Sequence, residues 1–183
     1  MHYLAFYKPD EVLSQFTDKV GRDTLKSYIS VQGVYAAGRL DYHSEGLMVL
    51  SDDGPFIRRL TDPRFSHPKT YLAQVEGRAT EKMIRPLNEG IVLPGLQTRL
   101  AQVEIVPEPI LLPRSRPVRS YHPTTWLRIV LFEGKKHQVR RMTAAVGLPT
   151  LRLVRVAIGS LELGRLQPGQ WRELTHAEIR AFN

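Results

Sequence analysis

The chain alternates between short apolar runs and polar turns, and the spacing of its apolar positions predicts most of its elements. Residues 2–7 read as a strand stopped by Lys8 and Pro9. Leu25, Tyr28 and Ile29 fall at i, i+3 and i+4, so 23–30 reads as a short helix capped by Asp23. A short apolar piece spans 34–38 and a polar turn 39–46, and Leu47, Met48, Val49 and Leu50 then form an apolar strand. Residues 51–55 close that strand and open a helix over 56–60. Asp62 and Pro63 end the helix, because the residue before a proline is pushed out of the helical region. Tyr71, Ala73 and Val75 alternate with Leu72, Gln74 and Glu76, as in a strand with one buried face.

Residues 80–89 read as a helix with Gly90 at its C-terminal cap, and 98–106 as a strand. Residues 107–123 break the rhythm. They hold five prolines, Arg114, Arg116 and Arg119, and a single acid, Glu108. They read as a long irregular arm, of a length that is uncommon unless functional or disordered. Residues 126–132 are strongly β-like. Val139, Met142 and Val146 make one apolar stripe of a helix over 135–146, closed by Gly147 and Pro149. Residues 151–158 form another strand, and Thr175 and Glu178 stand at capping-box spacing before a last short helix. There is no internal repeat and no regular βαβ alternation. The pattern predicts an α+β fold, a mixed, largely antiparallel sheet with flanking helices.

Composition narrows the chemistry. The 183 residues suit one large domain, and the absence of cysteine excludes a disulfide scaffold, a Cys-based zinc site and a Cys nucleophile. No apolar run approaches the ~20 residues of a membrane span, and the N-terminus lacks the pattern of a signal peptide, so a cytoplasmic location is expected. The formal net charge is +8. Residues 1–106 carry 13 basic and 13 acidic side chains, whereas 107–183 carry 13 and 5, so the whole excess lies in the second part. Such asymmetry favours a polyanionic partner, nucleic acid ahead of a membrane surface.

Asp41, His43 and Glu45 form the densest polar cluster between two apolar segments. They read as a solvated turn, as paired carboxylates, or as the start of a metal site. The last reading lacks ligands, because spacing brings none of His67, His122 and His137 near the cluster. On the 135–146 helix, Lys136, His137, Arg140 and Arg141 occupy the faces left free by the apolar stripe, and first-turn amides there suit a phosphate. Tyr71 reads as a core aromatic or as a site residue. Arg155 shares a strand face with Leu151, Leu153 and Ala157, a costly position unless a carboxylate pairs with it. Arg152, on the other face and near the strand end, reads as solvent-facing.

Several of these segments together resemble RsuA-type pseudouridine synthases. Gly38-Arg39-Leu40-Asp41, Ser44-Glu45-Gly46-Leu47 and Leu50 to Gly54 are similar to the active-site motif of that family, and Lys69-Thr70-Tyr71 to its second motif. Glu133 to Met142 and Leu153 to Gly159 with Leu161 resemble two further signatures, and Tyr3 to Pro9 the opening catalytic strand. The resemblance runs through nearly the whole chain in order. It implies two halves of a sheet around a central cleft. There, a uridine of rRNA, of the large-subunit (23S) kind, has its N-glycosidic bond cut, its base turned and a carbon–carbon bond made through C5. No cofactor and no metal are implied.

By resemblance, Asp41 is the essential aspartate. It either attacks the ribose or base, or removes a ribose proton to give a glycal. Arg155 would hold Asp41 in an ion pair, and Tyr71 would pack against the base and help with the C5 proton. Arg39 and Lys69 would lie near phosphates. Lys135, Lys136, His137, Gln138, Arg140 and Arg141 would contact RNA, as would Arg114, Arg116 and Arg119 of the arm. The uridine must leave its stack, so base flipping is expected. Family members commonly carry an S4-like RNA-binding domain ahead of the catalytic one. This sequence opens at the catalytic strand, so 1–183 reads as one catalytic domain that targets RNA itself, as a monomer. Two other readings remain: a non-catalytic rRNA-binding or ribosome-assembly module, and a carboxylate hydrolase using Asp41 and Glu45.

Overall fold

The computed structural model describes residues 1–182; Asn183, the last residue of the span read above as one domain, lies outside them. In chain order the elements are β1 (Tyr3–Lys8), β2 (Tyr35–Ala36), β3 (Glu45–Ser51), α1 (Gly54–Thr61), β4 (Lys69–Glu76), α2 (Glu81–Glu89), β5 (Val92–Leu93) and β6 (Leu96–Gln97). Then follow β7 (Gln102–Val106), β8 (Thr124–Leu131), α3 (Gln138–Ala145), β9 (Thr150–Ile158), β10 (Leu161–Glu162), β11 (Trp171–Glu173) and α4 (His176–Arg180). One sheet runs β11-β1-β3-β9-β4-β8-β7, with β2 added to β3 and β10 to β9, while β5 and β6 pair separately. Its pairings are antiparallel except β3 with β9. This is the mixed, largely antiparallel sheet that the sequence pattern predicts.

Burial explains the two kinds of strand pattern. On β1 and β3, Leu4, Phe6, Met48 and Leu50 enter one core, and Ala5, Tyr7, Leu47 and Val49 enter a second on the opposite face. Strands covered on both sides read as unbroken apolar runs. On β4 only Tyr71, Ala73 and Val75 are buried, which gives the alternation.

The junction of β3 with β9 positions everything that follows. Only Glu45↔Val154 and Gly46↔Arg155 are in register there, so two residue pairs join the halves of the sheet. Beyond Gly46 the strands part. The freed edge of β3 is taken up by the Ala37 amide, which donates to the Val49 carbonyl (2.8 Å), and then by β2 opposite Leu50 and Ser51. The Leu47 carbonyl falls in the gap, and the Arg155 Nε–H satisfies it at 2.8 Å. Divergence of β3 and β9 thereby opens a cleft between the halves, the arrangement that the family resemblance implies.

Local signals mostly hold. The Asp53 carboxylate caps α1 by accepting from Phe56 N (3.1 Å), and the helix ends at Asp62, extended before Pro63. The Thr175–Glu178 capping box is formed on both sides. Three elements are shorter than expected, one of them the 135–146 helix, which spans Gln138–Ala145. The 23–30 helix is a single 3-10 turn, Leu25–Ser27, capped by Thr24 and not by Asp23, whose carboxylate is instead held by the Ser27 and Tyr28 hydroxyls. The 98–106 strand begins at Gln102, because the Thr98 hydroxyl turns back to accept from Ile91 N (2.8 Å).

Gly46 is required at the junction. Its φ is +106°, and a Cβ there would press on the Arg155 carbonyl and lie 2.7 Å from Arg155 N, both backbone atoms. Gly46→Ala is therefore expected to lose ~3 kcal/mol or more in urea unfolding, since neither backbone can yield. A loss under ~1 kcal/mol would show that the strands close without this contact.

Candidate active site

The turn after Leu40 is built from below. Ser14 Oγ both donates to Leu40 O (2.6 Å) and accepts from Leu40 N (3.0 Å), which fixes the residue before Asp41. Asp41 O then accepts from Ser44 N (3.0 Å), closing a turn over 41–44. Beneath it lies Lys8, fully buried at the end of β1. Its Nζ donates to Pro9 O and Val12 O (2.7 Å each) and to Tyr42 O (3.3 Å). Burial pushes the Lys8 ammonium down to about 8, although Asp10, Glu45 and Asp41 all favour its charge. The Asp41 side chain is about a third exposed (31%), with His137 Nε2 at 3.3 Å from Oδ1.

Asp41 opens into a cleft of about 610 Å³, lined across the junction by Lys69 and Tyr71 of β4 and by Arg155 of β9. Tyr71 and Arg155 are register partners, so the sheet itself sets them side by side. The Lys69 ammonium is pushed below the ordinary lysine range by burial and, secondarily, by the Arg155 charge. Arg39, Lys135, Lys136, His137 and Gln138 line the same cleft. A carboxylate facing several cations in a nucleotide-sized hollow can bind a phosphate-bearing substrate and present it to one anionic oxygen.

The geometry corrects several expectations. Arg155 forms no ion pair with Asp41. Among the described residues no carboxylate lies within 4 Å of its guanidinium, because Nε caps the β3 edge at Leu47, and Nη2 is buried without a partner. Glu45 is not paired with Asp41 either. It is buried and held by Arg152 through two bonds, 2.9 and 3.0 Å, which removes the two-carboxylate hydrolase arrangement. Arg152 is therefore not in solvent. The arm covers that face of β9, and Leu112 O accepts a third bond from Arg152 (2.8 Å). His43 turns to Asp10 (3.2 Å), so Asp41, His43 and Glu45 do not converge.

The helix expected over 135–146 starts only at Gln138. Lys135, Lys136 and His137 form an exposed turn ahead of it, with His137 left-handed (φ +52°). Gln138 faces inward and braces that turn. Its Oε1 accepts from Lys135 N (3.0 Å), and its Nε2 donates to Glu133 (2.7 Å). Arg140 and Arg141 lie outside the cleft on backbone carbonyls, Arg140 on His43 O (2.7 Å) and Thr150 O (3.2 Å), Arg141 on Pro94 O. The arm's arginines are all paired: Arg114 with Asp10 (3.4 Å), Arg116 with Glu11 (2.9 Å) and Arg119 with Glu76. Lys8, Asp10 and Ser14 belong to the site's support and were not singled out by pattern. The one available signal was a lysine closing an otherwise apolar strand.

Comparisons with known proteins agree with this architecture. A profile of the RNA pseudouridylate synthase family matches residues 2–145. A Vibrio vulnificus protein named ribosomal large subunit pseudouridine synthase E is 53% identical over 174 residues, covering 94% of this chain and 74% of that protein. A protein of the same name from Xanthomonas campestris is 52% identical over 170 residues, covering 90% of this chain and 91% of its own length. A crystal structure of a pseudouridylate synthase superposes with a TM-score of 0.85 at 29% identity, covering 100% of this chain and 74% of the other.

Lys8 offers a direct test of the turn's support. Lys8→Met leaves three carbonyl oxygens without their donor, so a loss of ~2 kcal/mol or more is expected in urea at neutral pH. The pH dependence has a definite sign. With its folded pKa lowered to about 8 from 10.5, the unfolded chain binds more protons between those values, and this group's contribution to stability rises across that window. The gap between wild type and Lys8→Met should therefore widen from pH 8 to pH 10. A constant gap would mean that Lys8 titrates normally.

Proposed function

This chain belongs to the RNA pseudouridylate synthase family, and from that premise we propose that it converts a uridine of large-subunit rRNA to pseudouridine, with Asp41 as the indispensable side chain. It is an RNA pseudouridine synthase, an isomerase. The observation that carries the site assignment is convergence. Asp41, Lys69, Tyr71 and Arg155, from three separate segments, meet in one cleft of about 610 Å³. Resemblance gives Asp41, Tyr71 and Arg155 the catalytic roles and sets Lys69 with Arg39 near phosphates.

The chemistry asks little of the protein beyond orientation and charge. The N1–C1′ bond breaks, the base turns, a C5–C1′ bond forms, the C5 proton leaves and N1 takes up a proton in its place. Asp41, partly exposed and hydrogen-bonded through its turn, is free to attack carbon or to take a ribose proton, and either route needs it ionised. Tyr71, almost buried beside Arg155, supplies a flat wall for the flipped base and a hydroxyl near C5. Lys69 and Arg155 set a positive floor, and the unpartnered Arg155 Nη2 leaves a donor for an oxygen of the bound nucleotide. Arg39, Lys135 and Lys136 are exposed at the cleft and contact flanking phosphates. On this reading 1–183 acts as one catalytic domain and as a monomer, in the cytoplasm where rRNA is available. No helix among the described residues is long and apolar enough to cross a membrane.

A non-catalytic rRNA-binding module would need the basic surface but not an accessible carboxylate set among cations. Asp41→Asn separates the two. It keeps the shape and loses the charge, so an unmodified large-subunit rRNA transcript should still bind while pseudouridine formation falls more than ~100-fold, at least ~2.7 kcal/mol. Turnover above about a hundredth of wild type would remove Asp41 from the reaction.

A further inference from the structure

We propose that Arg114 of the proline-rich arm is a positioning residue for the Asp41 turn, acting on turnover and not as an RNA contact. Arg114 is inserted into the protein: its side chain is 12% exposed, against carboxylates that are 2% exposed. It stands 3.4 Å from Asp10 and 3.9 Å from Glu45. A guanidinium so placed reaches an RNA phosphate only by leaving both carboxylates behind, buried and without it.

Those two carboxylates bracket the turn. Asp10 holds His43 Nδ1 at 3.2 Å, and Glu45 is the first residue of β3, directly after the turn closed by Ser44. The same turn is gripped by Lys8 at Tyr42 O and by Arg140 at His43 O. Asp10, Asp41 and Glu45 thus share a small volume with Lys8, Arg114, Arg140 and Arg152. Of these cations only Arg114 comes from the arm, which has no regular secondary structure between β7 and β8. Without it, Asp10 loses its nearest guanidinium, repulsion among the three carboxylates grows, and the turn carrying Asp41 shifts. A displacement of about 1 Å at a reacting group costs on the order of a hundredfold in rate.

The proposal rests on the reading that Asp41 drives the reaction, so the test carries two readouts. On an unmodified large-subunit rRNA transcript, Arg114→Gln should lower kcat at least ~30-fold. KM and the salt dependence of binding should stay at wild-type values, and Arg114→Lys should recover most of the lost kcat. Independently of activity, removing the guanidinium beside Asp10 should move the His43 imidazole resonances, read by NMR at one fixed pH. If kcat is unchanged, or the His43 resonances stay where they are in wild type, Arg114 does not position the turn. If instead KM rises and the slope of log affinity against log salt falls by ~0.7–0.9, Arg114 contacts a phosphate and the proposal is overturned. Should wild type itself make no pseudouridine, the assigned reaction fails, while the His43 shift still reads the Arg114 contact.

Discussion

The two-residue parallel junction between β3 and β9, locked by the buried Glu45–Arg152 pair, is the constraint on which the rest of the molecule depends. Parallel pairing there covers only Glu45 and Gly46, so backbone bonds alone hold the halves weakly. The side-chain pair spans the same point, with two charge-assisted bonds and a third from Arg152 to the arm. Burying both ions is costly, and removing either partner leaves an uncompensated charge worth ~3–5 kcal/mol. The pair therefore fixes register more surely than it adds stability, and register is what a site assembled from the turn before β3, from β4 and from β9 needs.

From that junction the cleft follows. Because β3 and β9 part after Gly46, one β3 carbonyl is left in the gap, and Arg155 is drawn to it. This places a buried cation at the cleft floor, beside Tyr71 and close enough to Lys69 to add to the lowering that burial imposes on its ammonium. The turn that carries Asp41 lies at the mouth of the same divergence, suspended from β1 by Lys8 and from the first loop by Ser14. Positive charges under the turn outnumber its carboxylates, which draws in a polyanion.

Periodicity made the strands legible, because burial on one face or two leaves different patterns, seen in β4 against β1 and β3. Helix ends were legible where a side chain caps its own neighbour, as at Asp53 and Thr175. The motif around Asp41 and the placement of Lys69, Tyr71 and Arg155 in one cleft were also within reach. Ion-pair partners were not. Arg114 looked free because its arm contains one acid, yet its partners are Asp10, just after β1, and Glu45, at the start of β3, both far away in sequence. Arg152 looked exposed because strand alternation cannot show what lies over a face. Arg155 was matched to Asp41 by resemblance, whereas a main-chain oxygen left by diverging strands had the stronger claim.

The central claim is that the Glu45–Arg152 pair sets the register that carries the site. A double-mutant cycle of Glu45→Gln and Arg152→Met, read by urea unfolding and by pseudouridine formation on a large-subunit rRNA transcript, tests it most directly. Each single variant should lose ~3 kcal/mol or more and at least tenfold in turnover, with a coupling of ~1.5 kcal/mol or more between them. Losses that add to within ~0.5 kcal/mol, or full turnover in either destabilised single variant, would contradict it.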